Sequence, residues 1–195
     1  MIPATAPAQL RDSMDHLRSP DKERQNRAFV SLSEATNEPV DWAYEVWDEL
    51  LLVIAEGDNR QRSIAGQVLC NLAKSDPQAR ILKDINALLA LTKDERFVTA
   101  RHCLLSLWKV AVSGERQRHA VIDGLVSRFT ECAAEKNCTL IRYDIQCVLQ
   151  RIHEHSPDEQ LHSKAMELIS LEEDPRYRKK YSTVWRTKSS PAKVK

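Results

Sequence analysis

Cys132, Cys138, His153 and His155 are of the types that do metal chemistry, because thiolate sulfur and imidazole nitrogen are the usual zinc donors. Their spacing argues against it. No Cys-x-x-Cys occurs, Cys132 and Cys138 straddle a loop, and His153 and His155, two residues apart, point to different faces of a helix. The five cysteines Cys70, Cys103, Cys132, Cys138 and Cys147 are odd in number, and four lie in apolar helical stripes, where a free thiol behaves as a small hydrophobe. That usage predicts a reducing compartment, and the chain is expected to be cytoplasmic, with no metal and no cofactor.

Nucleophilic and phosphoryl-transfer chemistry lack their usual frames too. There is no Gly-x-Ser-x-Gly, no phosphate-binding glycine loop, no His-Glu-x-x-His, and no glycine pair close enough for a dinucleotide fingerprint. Most enzyme classes drop out, and a noncatalytic role is expected.

Charge is the remaining chemistry. The formal net charge is +1, yet Asp174 to Lys195 holds eight Lys or Arg against one acid, so the rest of the chain is acidic. In the stretch "RYRKKYSTVWR", Arg176, Arg178, Lys179, Lys180 and Arg186 interleave with Tyr177, Tyr181 and Trp185, a composition suited to phosphate contact and base stacking. The three aromatics fall at i, i+4 and i+8, however, which is the buried stripe of a final helix with the cations on its wet side. Residues 187–195 have no stripe and are expected to be a disordered basic tail.

The elements that must position these groups are helices. Apolar residues recur at i, i+4, i+7 and i+8 in Ile81, Ile85, Leu88, Leu89 and again in Ile141, Ile145, Val148, Leu149, with no strict alternation to compete. Only four glycines are present, too few for a hairpin-rich β fold. Asp76-Pro77, Ser156-Pro157 and Asp174-Pro175 read as N-cap followed by proline in the first turn, while Asp58 with Gln61, Thr92 with Glu95 and Ser156 with Glu159 have capping-box spacing. The predicted helices run over 8–18, 22–36, 41–56, 59–75, 77–91, 94–112, 115–135, 138–155, 157–171 and 175–186, making five pairs in one domain over 8–186. The apolar run from Leu50 to Ala55 is the longest and far too short to span a bilayer, and the start "MIPATAPAQL" lacks the basic and apolar regions of a leader, so no membrane partner is expected.

The second helix of each pair repeats. Ala28, Ala65, Ala100 and Ile145, each followed four residues on by Leu, stand 37, 35 and 45 residues apart. Asp58, Arg62, Ala65, Val68, Leu69 and Leu72 resemble the second helix of a HEAT repeat; Phe97, Ala100, Cys103, Leu104 and Leu107 keep its offsets with Phe for Arg. Arg142, Ile145, Val148, Leu149 and Ile152 keep the Arg, and Gln25, Ala28, Ser31 and Leu32 fit loosely. The family's proline inside the first helix is missing throughout, which leaves armadillo-like and looser α-α arrays open. The resemblance implies an all-α fold, a right-handed α-α superhelix of about five helical hairpins, because one hairpin cannot hide its own apolar stripe and each copy shields the next.

In that family the second helices line the concave face. Here they carry Arg24, Arg27, Arg60, Arg62, Lys74, Arg101, Lys109, Arg142 and Arg151, while Asp41 to Glu56 carries five acids and no base. The expectation is a scaffold binding another protein through an extended, mildly basic surface, with nucleic acid as the alternative partner. HEAT-like alkylpurine DNA glycosylases share the fold, and Trp108, Lys109, Arg101, Asp144, Arg142 and Arg151 are the nearest match to their site by residue type. Trp108 continues the stripe of Leu104 and Leu107 and reads as core; Asp144 reads as a solvated acid. Trp42, at a helix start, is the candidate exposed aromatic for a protein interface.

Overall fold

A computed structural model describes residues 8–186, and every regular element among them is helical. The tail expected at 187–195 lies outside the described residues. The helices are α1 (Ala8–Arg18), α2 (Lys22–Ala35), α3 (Ala43–Glu56), α4 (Asn59–Leu72), α5 (Ile81–Leu91), α6 (Phe97–Ser106), α7 (Trp108–Ala111), α8 (Glu115–Glu131), α9 (Cys138–His155), α10 (Glu159–Ser170) and α11 (Pro175–Ser182). Short 3-10 turns extend α4, α8 and α11 through Ser75, Ala134 and Trp185.

They pair as the sequence period predicts. α1 packs on α2, α3 on α4, α5 on α6, α8 on α9 and α10 on α11. The second members then form a file in which α2 touches α4, α4 touches α6, α6 touches α9 and α9 touches α11; among the first members, α3 touches α5 and α5 touches α8. One continuous apolar cluster runs between these two layers from Leu10 to Tyr181, with Leu32, Trp47, Leu50, Leu69, Leu88, Leu104, Leu125 and Leu149 buried in it. Each such side chain contributes about 2 kcal/mol by leaving water.

Where two helices approach closely, glycine makes the room. A Cβ on Gly66 of α4 would lie 2.6 Å from Leu91 Cδ2 of α5, and one on Gly124 of α8 would lie 2.5 Å from Leu89 Cδ2.

The starts of α2, α4, α10 and α11 are capped by carboxylates. Asp58 and Gln61 form the expected reciprocal box at α4, and Asp174 caps Arg176 N–H ahead of Pro175 at α11. The predicted starts of α3, α5, α6 and α10 move, α3 beginning at Ala43 rather than 41. α5 begins at Ile81 rather than beside Pro77: residues 77–80 turn, Ala79 takes a left-handed φ of 51°, and the Asp76 carboxylate reaches over the turn to Arg80 N–H (2.9 Å) and Ile81 N–H (2.7 Å). Thr92 closes α5, and Asp94 accepts from Arg96 N–H ahead of α6. Ser156 closes α9, and Asp158 caps α10 through Gln160 and Leu161 N–H. At α6 and α10 an ionised acceptor, favoured by the helix dipole, holds backbone N–H groups at the start where the hydroxyl of Thr92 or Ser156 was expected to, while at α5 the expected Asp76 still serves from one turn further back.

Trp42 is a correction: only 8% of it is exposed, so it offers no interface aromatic. Trp47 is fully buried, as its stripe predicts, with its indole N–H donated to Asp84 Oδ2 at 2.8 Å.

Candidate functional site

The cations predicted to line the second helices divide into two groups. Three join neighbouring helical pairs. Arg62 of α4 makes a forked contact with Asp94 (2.7 and 3.0 Å) and a bond to Gly57 O; Arg101 of α6 forks onto Asp144 of α9; Arg142 of α9 reaches Glu172 (3.0 Å) and Phe129 O (3.1 Å), its guanidinium 4.8 Å from the Phe129 ring centre. Asp144 is therefore a buried, paired acid and not the solvated one its sequence position suggests. Burial raises the Asp94 carboxyl, but the Arg62 bonds and the Arg96 N–H outweigh it and hold the group below its ordinary range.

The other group carries charge without an acid. Arg24 and Arg27 are exposed on α2. Lys109 donates to Asn71 Oδ1, and Arg151 lies over Trp108, its guanidinium carbon 3.9 Å from the ring centre; none of these four makes an ion pair among the described residues. Trp108 itself packs against the core with its outer face under Arg151.

The same layer opens a groove of about 570 Å³ between α2, α4 and α6. Its polar walls are fixed by hydrogen bonds built from the helix starts. Gln25 Nε2 donates to Asp58 Oδ2 (3.0 Å) and Ser19 O (2.9 Å), Arg60 donates to Asn26 Oδ1 (3.1 Å), and Thr99 Oγ1 donates to Asn59 O (2.7 Å). Phe29 and Ile64 give it apolar surface, and Val98, 62% exposed, projects at its edge. Lys22 and Arg60 bring positive charge to its rim.

Within the groove Ser63 Oγ meets His102 Nδ1 at 3.0 Å. The pair was not legible in the sequence because its members stand 39 residues apart. Burial, and then the Arg101 charge, push His102 below its ordinary range, so the ring is neutral at pH 7. Ser63 Oγ also accepts from Gln67 Nε2 (3.3 Å), and no carboxylate orients the far ring nitrogen among the described residues. The geometry is that of a hydrogen-bonded wall rather than an activated hydroxyl, which would need the base held by a third group.

On α11 the aromatic stripe faces inward. Tyr181 is buried, its hydroxyl donated to Thr139 O (2.9 Å) and Glu172, and Trp185 donates its indole N–H to Gln146 Oε1 (2.8 Å). Arg178, Lys179 and Arg186 are exposed, Arg176 pairs with Asp174, and Lys180 Nζ lies 4.8 Å from the Tyr143 ring centre. His153 and His162 both pack on Trp185.

All five cysteines are free thiols, with Cys132 Sγ 3.0 Å from Cys138 Sγ. Among the described residues no group of three or more His, Cys, Asp or Glu side chains is arranged to hold a metal ion, and no helix is long and apolar enough to cross a membrane. No protein-family model matches the chain, and no curated protein matches it.

Proposed function

We propose that the protein is a noncatalytic binding scaffold, a HEAT-like superhelical array of five helical hairpins that holds an extended peptide segment of a partner protein against its second helices. The observation that carries this reading is the α2–α4–α6 groove, whose Gln25, Arg60, Ser63 and Thr99 side chains are already held by hydrogen bonds. A wall ordered in advance loses little entropy when a partner docks. Phe29, Ile64 and Val98 would take an apolar side chain, and Lys22 and Arg60 favour an acidic neighbour on the same segment. Five free thiols fit a reducing, cytoplasmic setting.

Affinity capture from native lysate with the wild-type protein and with Val98→Asp and Arg60→Glu variants tests it. The same partner should come down with the wild type at moderate salt and be lost with either variant. Retention by both variants would place the interface elsewhere. Exposed Arg24 and Arg27 on α2, outside the groove lining, support nucleic acid as a second reading. That reading requires duplex DNA retention at low salt, falling steeply as salt rises.

A further inference from the structure

Lys74, Lys109 and Arg151 belong to the ends of three successive second helices: the 3-10 turn after α4, then α7, then the last turns of α9. Each is held in place by a neutral group. Lys74 Nζ donates to Thr36 O (3.1 Å) and Asn37 O (2.5 Å). Lys109 Nζ donates to Asn71 Oδ1, and the buried Asn71 is itself anchored by Nδ2 donating to Thr36 Oγ1 at 3.0 Å. Arg151 lies on the Trp108 indole, and Lys109 Nζ sits 6.0 Å from the same ring centre.

This arrangement contrasts with its surroundings. Arg62, Arg101 and Arg142 in the same layer each have a carboxylate, whereas none of these three cations pairs with one among the described residues. Burial, and beyond it the like charges of Lys74 and Arg151, push the Lys109 ammonium below its ordinary range. The like charges of Lys74 and Arg151 act on Lys109, and an anion bound among the three relieves that repulsion.

We infer that Lys74, Lys109 and Arg151, positioned by Asn71 and Trp108, form a binding site for a phosphomonoester dianion carried on a phosphorylated side chain of a peptide partner. A guanidinium fork and two ammonium groups match three terminal oxygens carrying close to two negative charges. A carboxylate would leave more of the positive charge unanswered. The inference rests on the peptide-scaffold reading for the source of the phosphate, but it uses no residue of the α2–α4–α6 groove.

The test follows the Trp108 indole and Arg151 side-chain N–H resonances of the full chain by NMR. The probes are inorganic phosphate, O-phosphoserine, serine and a phosphoserine peptide flanked by glycines, added at matched ionic strength. Saturable shifts are expected with every phosphate-bearing probe and none with serine or chloride. Arg151→Gln and Lys109→Gln should each weaken phosphoserine at least about tenfold, with the rest of the spectrum unchanged as proof of folding. The inference is overturned by unsaturable shifts, by variants that bind as the wild type does, or by inorganic phosphate binding where the phosphopeptide does not. Duplex DNA moving these resonances while phosphoserine leaves them still would also overturn it. Since the groove variants and the Gln variants touch different residues, failure here is separable from failure of the scaffold reading.

Discussion

Arg101 and Asp144 meet across α6 and α9 as a forked pair, with Nε 2.6 Å from one carboxylate oxygen and Nη2 3.1 Å from the other, and the Asp144 side chain only 2% exposed. The acid has no water to fall back on. Removing Arg101 strands a buried charge, and Arg101→Met should cost about 3 kcal/mol in urea unfolding, the low end for a broken buried pair because the guanidinium is itself partly wet. An Arg101→Met, Asp144→Leu double variant should recover most of that loss. A single variant as stable as wild type would show that the pair does not brace α6 on α9.

Stability should fall with acid in two stages. The folded His102 holds its proton less tightly than the unfolded chain does, because of burial and then Arg101, so its stabilising effect is present above about pH 6.5 and is lost as pH drops below it. Asp94 and Glu172 are also depressed. Burial raises both, but Arg62 at the first, and Arg142 with the Asp174 N–H and Tyr181 hydroxyl at the second, prevail. Their stabilisation is present above about pH 4 and is lost below it. Urea midpoints measured from pH 8 to pH 3 should show both stages, and His102→Gln should remove the upper one while leaving the lower.

Gly66 and Gly124 should respond differently to added bulk. Gly66→Val drives into Leu91, which is buried and has nowhere to go, and should cost about 2 kcal/mol. Gly124→Ala meets Leu89, which is only half-buried and can swing outward, so the gain of about 1 kcal/mol in helix propensity should offset most of the contact. Thermal melts of the two variants check the contrast. Equal losses would mean that α5 and α8 are as tightly locked as α4 and α5.

Cys132 should be nearly inert. Burial, then its hydrogen-bonded neighbour Cys138, push its thiol up to about 12, leaving almost no thiolate at neutral pH. Iodoacetamide at pH 8 followed by peptide mass spectrometry should find Cys132 unmodified in the native protein and alkylated after denaturation. Rapid native labelling would show that the α8–α9 turn opens.

Tyr181→Ala should cost about 3 to 5 kcal/mol, because the ring fills the core against Phe129 while its hydroxyl joins α11 to Thr139 and Glu172. Tyr181→Phe keeps the packing and should cost about 1 to 2 kcal/mol. Denaturant melts of the two variants separate cavity from hydrogen bond, and similar losses would assign the effect to the hydroxyl.

Features that depend on nearby sequence are legible in the sequence alone. The Asp58–Gln61 box, the Asp174-Pro175 start and the inward stripe of Tyr177, Tyr181 and Trp185 all follow from residues within two turns of one another. Features that depend on a neighbouring pair are not. Nothing near Trp42 says that it is covered, nothing near Asp144 names Arg101, and the turn at Ala79 appears only once Asp76 is seen to hold both Tyr44 and the first N–H groups of α5. The cationic cluster had a weak signal: Lys74 and Lys109 stand at the same distance beyond the register alanines Ala65 and Ala100. Asn71 and Trp108, which orient the cluster, carry no such mark.

Among the described residues the substantial helix contacts fall within a pair or between neighbouring pairs, and none of them joins α1 to α11. Pulled from its termini, such a protein should come apart in successive steps, the outermost pairs first. Amide protons in α4 and α6 should outlast those in α1 and α11 in deuterated solvent.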